Sequence, residues 1–92
     1  MFIEEWPINY LPKELPKYPS DSISGQAEPG HVLVIIEETS ETVFSQYMSA
    51  LKVAKWNLNP TQQYFGQAYK DNWLLQYGYN NGEATLQFMT DQ

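Results

Sequence analysis

The sequence predicts an α+β fold in which one helix packs on a mainly antiparallel sheet of about five strands, in the order β-β-α-β-β-β. Three observations predict it: one amphipathic helical pattern, an apolar β-branched run before it, and two hairpin turn signals after it. The 92 residues suffice for one domain with a small core. We expect a single α+β domain at residues 21–92, preceded by an extended Pro-rich arm at residues 1–20.

The predicted arm combines prolines with large apolar side chains. Proline fixes the backbone and removes an amide donor, so residues 1–20 are expected to be extended rather than helical. A flexible linker has no need of Trp6, Leu11 and Tyr18, and we expect at least one of them to pack on folded chain. Lys13–Pro19 also matches a basic residue followed by a PxxP core, a pattern that docks in aromatic grooves, but short patterns match by chance and we favour the interpretation that its apolar residues cover this domain.

Two strands and a helix follow the arm. A weak strand at Ser22–Ala27 precedes the strongest predicted strand, His31–Glu38, which is apolar on both faces and should be covered on both or lie centrally in the sheet. Thr39 or Ser40 can cap the helix, and Asn57–Pro60 is expected to end it. The apolar stripe of the helix consists of Phe44, Tyr47, Met48, Leu51 and Ala54.

The last third of the chain predicts a three-strand meander over Tyr64–Lys70, Trp73–Tyr79 and Ala84–Thr90. Its two-residue loops are Asp71–Asn72 and Asn81–Gly82, the latter a strong hairpin signal. Loops of this length fix the strand register. Small residues then oppose large ones on one side, as a surface that receives a helix requires. We call this side the helix side and the opposite side the outer face.

The outer face of the predicted meander carries an unusual set of side chains. A row of glutamines crosses the three strands, flanked by aromatic and aliphatic residues. Glutamine amides donate and accept hydrogen bonds and aromatic rings stack, a mixture that suits a peptide, a sugar or a second copy of the chain. We predict that this face is a binding site. Its residues are Phe65, Gln67, Tyr69, Leu74, Gln76, Gln87 and Met89.

The charge pattern disfavours some partners. Eleven acidic residues against five basic ones, all of them Lys, give a formal net charge of -6. Nucleic acids and anionic membrane surfaces attract clustered positive charge, so nucleic acid is not an expected partner. The longest apolar run, Val32–Ile36, has the length of a strand, and we expect no integral membrane segment in this chain.

The sequence contains no motif that indicates catalysis or metal binding. The chain has no cysteine, and its one histidine, His31, is too few for a zinc site. No nucleophile-elbow motif surrounds a serine. Glu37, Glu38 and Glu41 lack the spacing of a calcium loop, and we interpret them as solvated acids near a helix N-terminus. We therefore expect a protein that is not an enzyme and that has no cofactor or metal.

Several segments together carry a resemblance to a known group of domains. They are Leu15–Pro19, Glu38–Ser40, Tyr47–Lys52, Trp56 and the aromatic-rich meander that ends at Thr90. Their order resembles small uncharacterised accessory domains of Gram-positive bacterial lipoproteins and secreted proteins, over most of the chain from Leu11. The resemblance implies an extracytoplasmic module without known catalytic residues. The Trp-bearing stretch before Leu11 and the missing signal sequence and lipobox cysteine depart from this pattern, so a cytoplasmic location stays open.

Two hypotheses for function follow from the predicted fold. In the first, the protein is a non-catalytic binding or association module that uses the outer face, with a protein or peptide partner or as a homodimer. In the second, it is a structural or inhibitory accessory domain whose outer face is covered by its own N-terminal arm. The oligomeric state and the exposure of Tyr69 and Trp73 distinguish the two hypotheses.

Overall fold

The computed structural model describes residues 1–90 as an α+β fold, with one α-helix on a seven-stranded sheet. The strands are β1 (Phe2–Ile3), β2 (Ile23–Glu28), β3 (His31–Ile36), β4 (Asn57–Gln62), β5 (Phe65–Lys70), β6 (Trp73–Asn80) and β7 (Glu83–Thr90), and the helix is α1 (Glu41–Val53). Their order in the sheet is β1-β2-β3-β7-β6-β5-β4, and every neighbouring pair is antiparallel. A short 3-10 helix lies at Ile8–Tyr10.

The prediction of about five strands was too low, because the two edge strands β1 and β4 were missed. β1 has two residues, too few for any periodic pattern. The sequence of β4 contains two asparagines and Pro60, which predicted a helix end rather than a strand. An edge strand tolerates proline because one side of it needs no ladder hydrogen bonds, and the pairing of β4 with β5 is irregular between Pro60 and Gln62.

Helix α1 has defined caps at both ends. The Ser40 side chain accepts a hydrogen bond from the Val43 amide at 3.1 Å, so Ser40 is the N-cap. At the other end, the Trp56 amide donates to the Leu51 carbonyl, and Lys55 takes the left-handed conformation at φ 75°. This is a Schellman motif with lysine where glycine is usual. α1 spans 13 residues, and residues 1–90 contain no helix that could cross a membrane.

The core lies between the sheet and α1. Alternate residues of the central strands point to this side, and Val34, Leu75 and Leu86 are among those with no exposed surface. From the helix, Phe44 and Leu51 complete the packing; the Phe44 ring lies 6.1 Å from Tyr77 and 5.4 Å from Tyr79, centroid to centroid. The predicted apolar stripe of the helix therefore faces the predicted side of the meander.

Residues 1–20 contribute to the same core. Trp6 packs edge-on against Tyr47 of α1 and Phe88 of β7, with centroids 6.3 and 6.5 Å away. The Tyr18 hydroxyl lies 2.6 Å from the Thr39 hydroxyl, and the Tyr47 hydroxyl donates to the Pro16 carbonyl at 2.8 Å. The buried side chains of this segment are Ile3, Trp6, Leu11, Leu15 and Tyr18. They lie on the helix side of the sheet, where they extend the cover that α1 provides.

Candidate functional site: the outer face of the sheet

The glutamine row lies where the predicted register places it. Gln67 of β5 is paired with Gln76 of β6, which is paired in turn with Gln87 of β7. The helix-side pairs Tyr77 with Leu86 and Leu75 with Phe88 follow from the same register. The turns that set it are those expected: Asn81 and Gly82 both have positive φ, as a two-residue hairpin loop of this type requires.

The row continues beyond the meander, across the whole sheet. Leu33 of β3 is paired with Gln87, and Gln26 of β2 is paired with Leu33. Asn59 of β4 extends the row on the opposite side, next to Gln67. The complete row, from β1 to β4, is Phe2, Gln26, Leu33, Gln87, Gln76, Gln67 and Asn59. We call it the amide row, because five of its members carry side-chain amides.

Two further rows flank the amide row, one on each side of it. On one side, the row has Leu74 and Met89 at its centre, Tyr69 and His31 next to them, and Asn57 and Glu28 at its ends. On the other side, the row consists of Phe65, Gly78, Thr85 and Ile35. The candidate residues Phe65, Tyr69, Leu74 and Met89 are thus brought together with the three glutamines on one face.

A depression lies in the second flanking row, beside the Phe65 ring. Its volume is about 280 Å³, and Phe65, Gln76, Thr85 and Gln87 are among the residues that line it. The Phe65 ring lies directly over Gly78; a Cβ atom there would come within 2.7 Å of the ring. Glycine is therefore required for the ring to take this position, and the ring covers Gly78, which is buried.

The outer face is much more exposed than the helix side. Phe65 and Tyr69 keep 41% and 42% of their surface exposed, whereas the central helix-side residues keep almost none. Leu74 and Met89 are half-buried, and Gln76 is exposed. On this face the described residues leave two large aromatic side chains of β5, one on each side of Gln67, open to solvent, as interaction surfaces often do.

The polar groups of the amide row are only partly engaged with one another. The Tyr69 hydroxyl donates to the Gln67 side-chain oxygen at 2.6 Å, and the Gln87 amide nitrogen lies 3.0 Å from the His31 ring nitrogen. Within residues 1–90, the Gln76 side chain makes no hydrogen bond. The central amide of the row is therefore available to a binding partner.

Charge is nearly absent from the outer face. Among the outward-facing residues of the seven strands, the carboxylates are Glu28 and Glu83, and each lies at a strand end. The formal net charge of -6 is therefore carried mainly elsewhere on the chain. Glu37, Glu38 and Glu41 lie at the junction of β3 with α1, and within residues 1–90 no group of His, Asp and Glu forms a candidate metal site.

Sequence reasoning missed the contribution of β2 and β3 to this face. Leu33 and Ile35 are half-buried and extend the apolar surface beyond the meander, while Gln26 extends the amide row. The signal was present: β3 is apolar on both alternating faces. The position of β3 next to β7, rather than at an edge, was the missing information.

Comparison of the chain with protein families, with curated proteins and with solved structures finds no match. The resemblance to accessory domains of Gram-positive bacteria stays a prediction. Function is therefore inferred from the geometry and chemistry of the outer face.

Proposed function

We propose that this protein is a non-catalytic association module, that its interface is the outer face of the sheet, and that its partner is a second copy of the chain. One observation carries the proposal: Phe65, Tyr69, Leu74 and Met89 lie on one face of the sheet, on either side of the amide row, with Phe65 and Tyr69 more than two-fifths exposed. A monomer would leave these apolar side chains in water, which is unfavourable in proportion to their exposed area.

The size of the outer face suits a stable dimer. Seven strands spaced about 4.8 Å apart span about 29 Å, and six residues with a rise of about 3.3 Å give a length of about 20 Å. The projected area is then on the order of 600 Å², and side-chain relief adds to it, against roughly 800 Å² per partner in a standard interface. A small ligand would cover only part of such a surface.

Electrostatics also favour association through this face. Two copies that each carry a formal net charge of -6 repel one another over most of their surface. The outer face is the broad surface on which they can approach with few carboxylates opposed, since Glu28 and Glu83 lie at its margins. Charge depletion at the centre of a patch, with aromatic and Met side chains enriched, is characteristic of protein interfaces.

The amide row makes the surface complementary to itself. Each glutamine amide has donors and an acceptor, so two copies of the same row can form hydrogen bonds with each other. Addition of a peptide strand at the edge is less favourable, because Pro60 and the irregular pairing of β4 interrupt that edge. A second copy therefore fits better than an extended peptide.

The competing hypothesis assigns the cover of the outer face to residues 1–20. The buried side chains of that segment contact α1 and the helix side of β7 instead, through Trp6 and Tyr18. In our proposal this segment closes the helix side, and the outer face stays available to the partner.

Substitution of Gln76 by glutamate tests the proposal. Gln76→Glu places one carboxylate at the centre of the face in each copy, so in a dimer two unpaired charges would be buried close together. We expect the wild type to sediment as a dimer and Gln76→Glu to shift toward the monomer, with an unchanged far-ultraviolet circular dichroism spectrum. The matched control is Gln63→Glu, which adds the same charge at an exposed position between β4 and β5.

Sedimentation velocity over a range of concentrations measures the effect. The control should associate as the wild type does. A wild type that stays monomeric at the highest concentration, or a Gln76→Glu variant that associates as strongly as Gln63→Glu, would overturn the proposal.

A further inference from the structure

Residues 1–10 line a hollow of about 620 Å³ beside the edge strand β1, which we call the β1 hollow. We propose that the β1 hollow is a second docking site, separate from the outer face of β5, β6 and β7. Its partner is a peptide segment of another protein that presents basic side chains next to an apolar anchor. The inference goes beyond the proposed function and does not depend on it.

The chain that forms the β1 hollow is held in place by contacts along its length. Ile3 of β1 is buried and is paired with Gly25 of β2. Trp6 is buried in the core, with its ring against Phe88, and Leu11, just after the 3-10 helix, is buried as well. Walls held in this way are formed before a partner arrives, which lowers the entropic cost of binding.

Large apolar side chains that line the β1 hollow are open to solvent. Met1, Phe2 and Ile8 keep 64%, 84% and 70% of their surface exposed. Six large apolar side chains are exposed among the described residues, and these three are half of them. A small molecule bound in the hollow would leave much of this area in water, whereas a peptide segment can cover it.

The charge of the β1 hollow favours a basic partner. Among the lining residues 1–10, Glu4 and Glu5 are exposed and no side chain is basic. Within residues 1–90, neither of these carboxylates takes part in a salt bridge. Lysine or arginine side chains of a partner would supply the opposite charge, and complementary charges across an interface speed association and exclude unsuitable partners.

A second copy of the chain does not provide this complement. Its formal net charge is -6, so two copies repel one another wherever their carboxylates meet. The outer face avoids this repulsion because its centre has no carboxylate, but the β1 hollow carries two. The occupant is therefore a different protein, with positive charge where this chain is negative.

A labelled peptide tests the proposed docking. The probe is a short amphipathic peptide of leucine and lysine that carries fluorescein, and the control is the same peptide with glutamate in place of every lysine. We expect fluorescence anisotropy to show binding of the lysine peptide and no binding of the glutamate peptide. Binding should weaken as the salt concentration rises, because salt screens the attraction between exposed charges.

Paired charge variants separate docking in the hollow from general attraction to an acidic protein. Glu4→Gln combined with Glu5→Gln removes two negative charges at the hollow. Gln62→Lys combined with Gln63→Lys changes the net charge by the same amount at exposed positions beside the opposite edge of the sheet. We expect the first pair to weaken binding of the lysine peptide roughly fivefold, and the second pair to weaken it much less.

A second pair of variants tests the apolar contact. Ile8→Ser removes an exposed apolar side chain that lines the hollow, and we expect it to weaken peptide binding roughly tenfold. Val53→Ser is the matched control, since Val53 is also β-branched and is 81% exposed, on α1. It should bind the peptide as the wild type does.

Three results would overturn the inference. They are failure of the lysine peptide to bind, equal losses of affinity within both pairs of variants, and binding of phosphatidylcholine vesicles that Ile8→Ser abolishes while peptide binding is unchanged. The last result would make the hollow a membrane contact. Sedimentation of the wild type without peptide tests self-association through the outer face separately, so either proposal can fail while the other holds.

Discussion

The two faces of the sheet are built from the same strands, yet the side chains of one face are buried and those of the other are largely exposed. On β7, Leu86 and Phe88 face α1 and have no exposed surface, while their neighbours Gln87 and Met89 face outward and are only half-buried. In an ordinary two-layer α+β domain the outward residues would be charged or small polar ones. Here amides, aromatics and aliphatics occupy the centre of the outer face, and its carboxylates lie at strand ends. Burial in this molecule therefore depends on what covers each face, since strand propensity is the same for both.

The helix side of the sheet is covered by two segments, α1 and residues 1–20, because the sheet is wider than one helix. α1 has 13 residues and is about 20 Å long, with a diameter of about 10 Å, whereas the sheet is about 29 Å wide. The helix alone would leave part of the sheet uncovered. Trp6, Leu11 and Tyr18 supply the remaining cover, which accounts for the large apolar side chains among the prolines. On the outer face, no described residue plays this role for Phe65 and Tyr69.

The largest expected effect contrasts one leucine on each side. Leu51→Ala removes a fully buried side chain from α1, and we expect it to lower the free energy of unfolding by about 2–5 kcal/mol. Leu74→Ala, the same substitution on the outer face, should cost the isolated domain much less and should mainly weaken association. Chemical denaturation at low protein concentration, with sedimentation as the second measurement, checks both. Equal losses of stability would show that the two faces are covered alike.

Alkaline pH should lower the free energy of unfolding through Tyr47, which is buried on the helix side of the sheet. Burial raises the pKa of the Tyr47 phenol, with a smaller contribution from Tyr18. In the unfolded chain the tyrosine pKa is about 10. The protonated phenol therefore contributes full stability below that pH, and the contribution is lost as the pH rises above it toward the folded-state value.

Tyr47→Phe isolates this contribution. At neutral pH we expect a loss of about 1 kcal/mol, because the hydrogen bond from the hydroxyl to the Pro16 carbonyl is removed. Above pH 10 the variant should lose stability with pH less steeply than the wild type. Denaturant midpoints measured from pH 8 to pH 11 check the slope; parallel curves for the two proteins would contradict the assignment.

The smallest expected effect concerns the end of α1. Lys55 occupies a left-handed position that glycine adopts without a steric penalty, so Lys55→Gly should raise stability by up to about 1 kcal/mol. Lys52→Gly, three residues earlier within the helix, is the matched control and should lower stability by up to about 1 kcal/mol. Thermal melts measure both changes. Since neither residue lies on the outer face, neither substitution should change association. A shift in sedimentation would contradict the proposal that only the outer face mediates association.

Local signals in the sequence were sufficient to predict much of the fold. The turns at Asp71–Asn72 and Asn81–Gly82 set the register of the meander, and that register alone placed Gln67, Gln76 and Gln87 in one row. The capped, amphipathic pattern of α1 was equally local. Such features depend on residues close together in the chain, so backbone geometry and side-chain periodicity determine them before any tertiary contact forms.

Other features were decided only by the tertiary structure. β4 is a strand because it pairs with the free edge of β5, although Pro60 and the asparagines of β4 predict a helix end from local sequence alone. The side of the sheet on which Trp6 packs, and the pairing of β3 with β7 that brings Leu33 into the amide row, depend on contacts between distant parts of the chain. Apolar composition determined that these residues needed cover. The surface that covers them was decided by the relative free energies of alternative long-range packings. These free energies cannot be obtained from the pattern of residues along the chain.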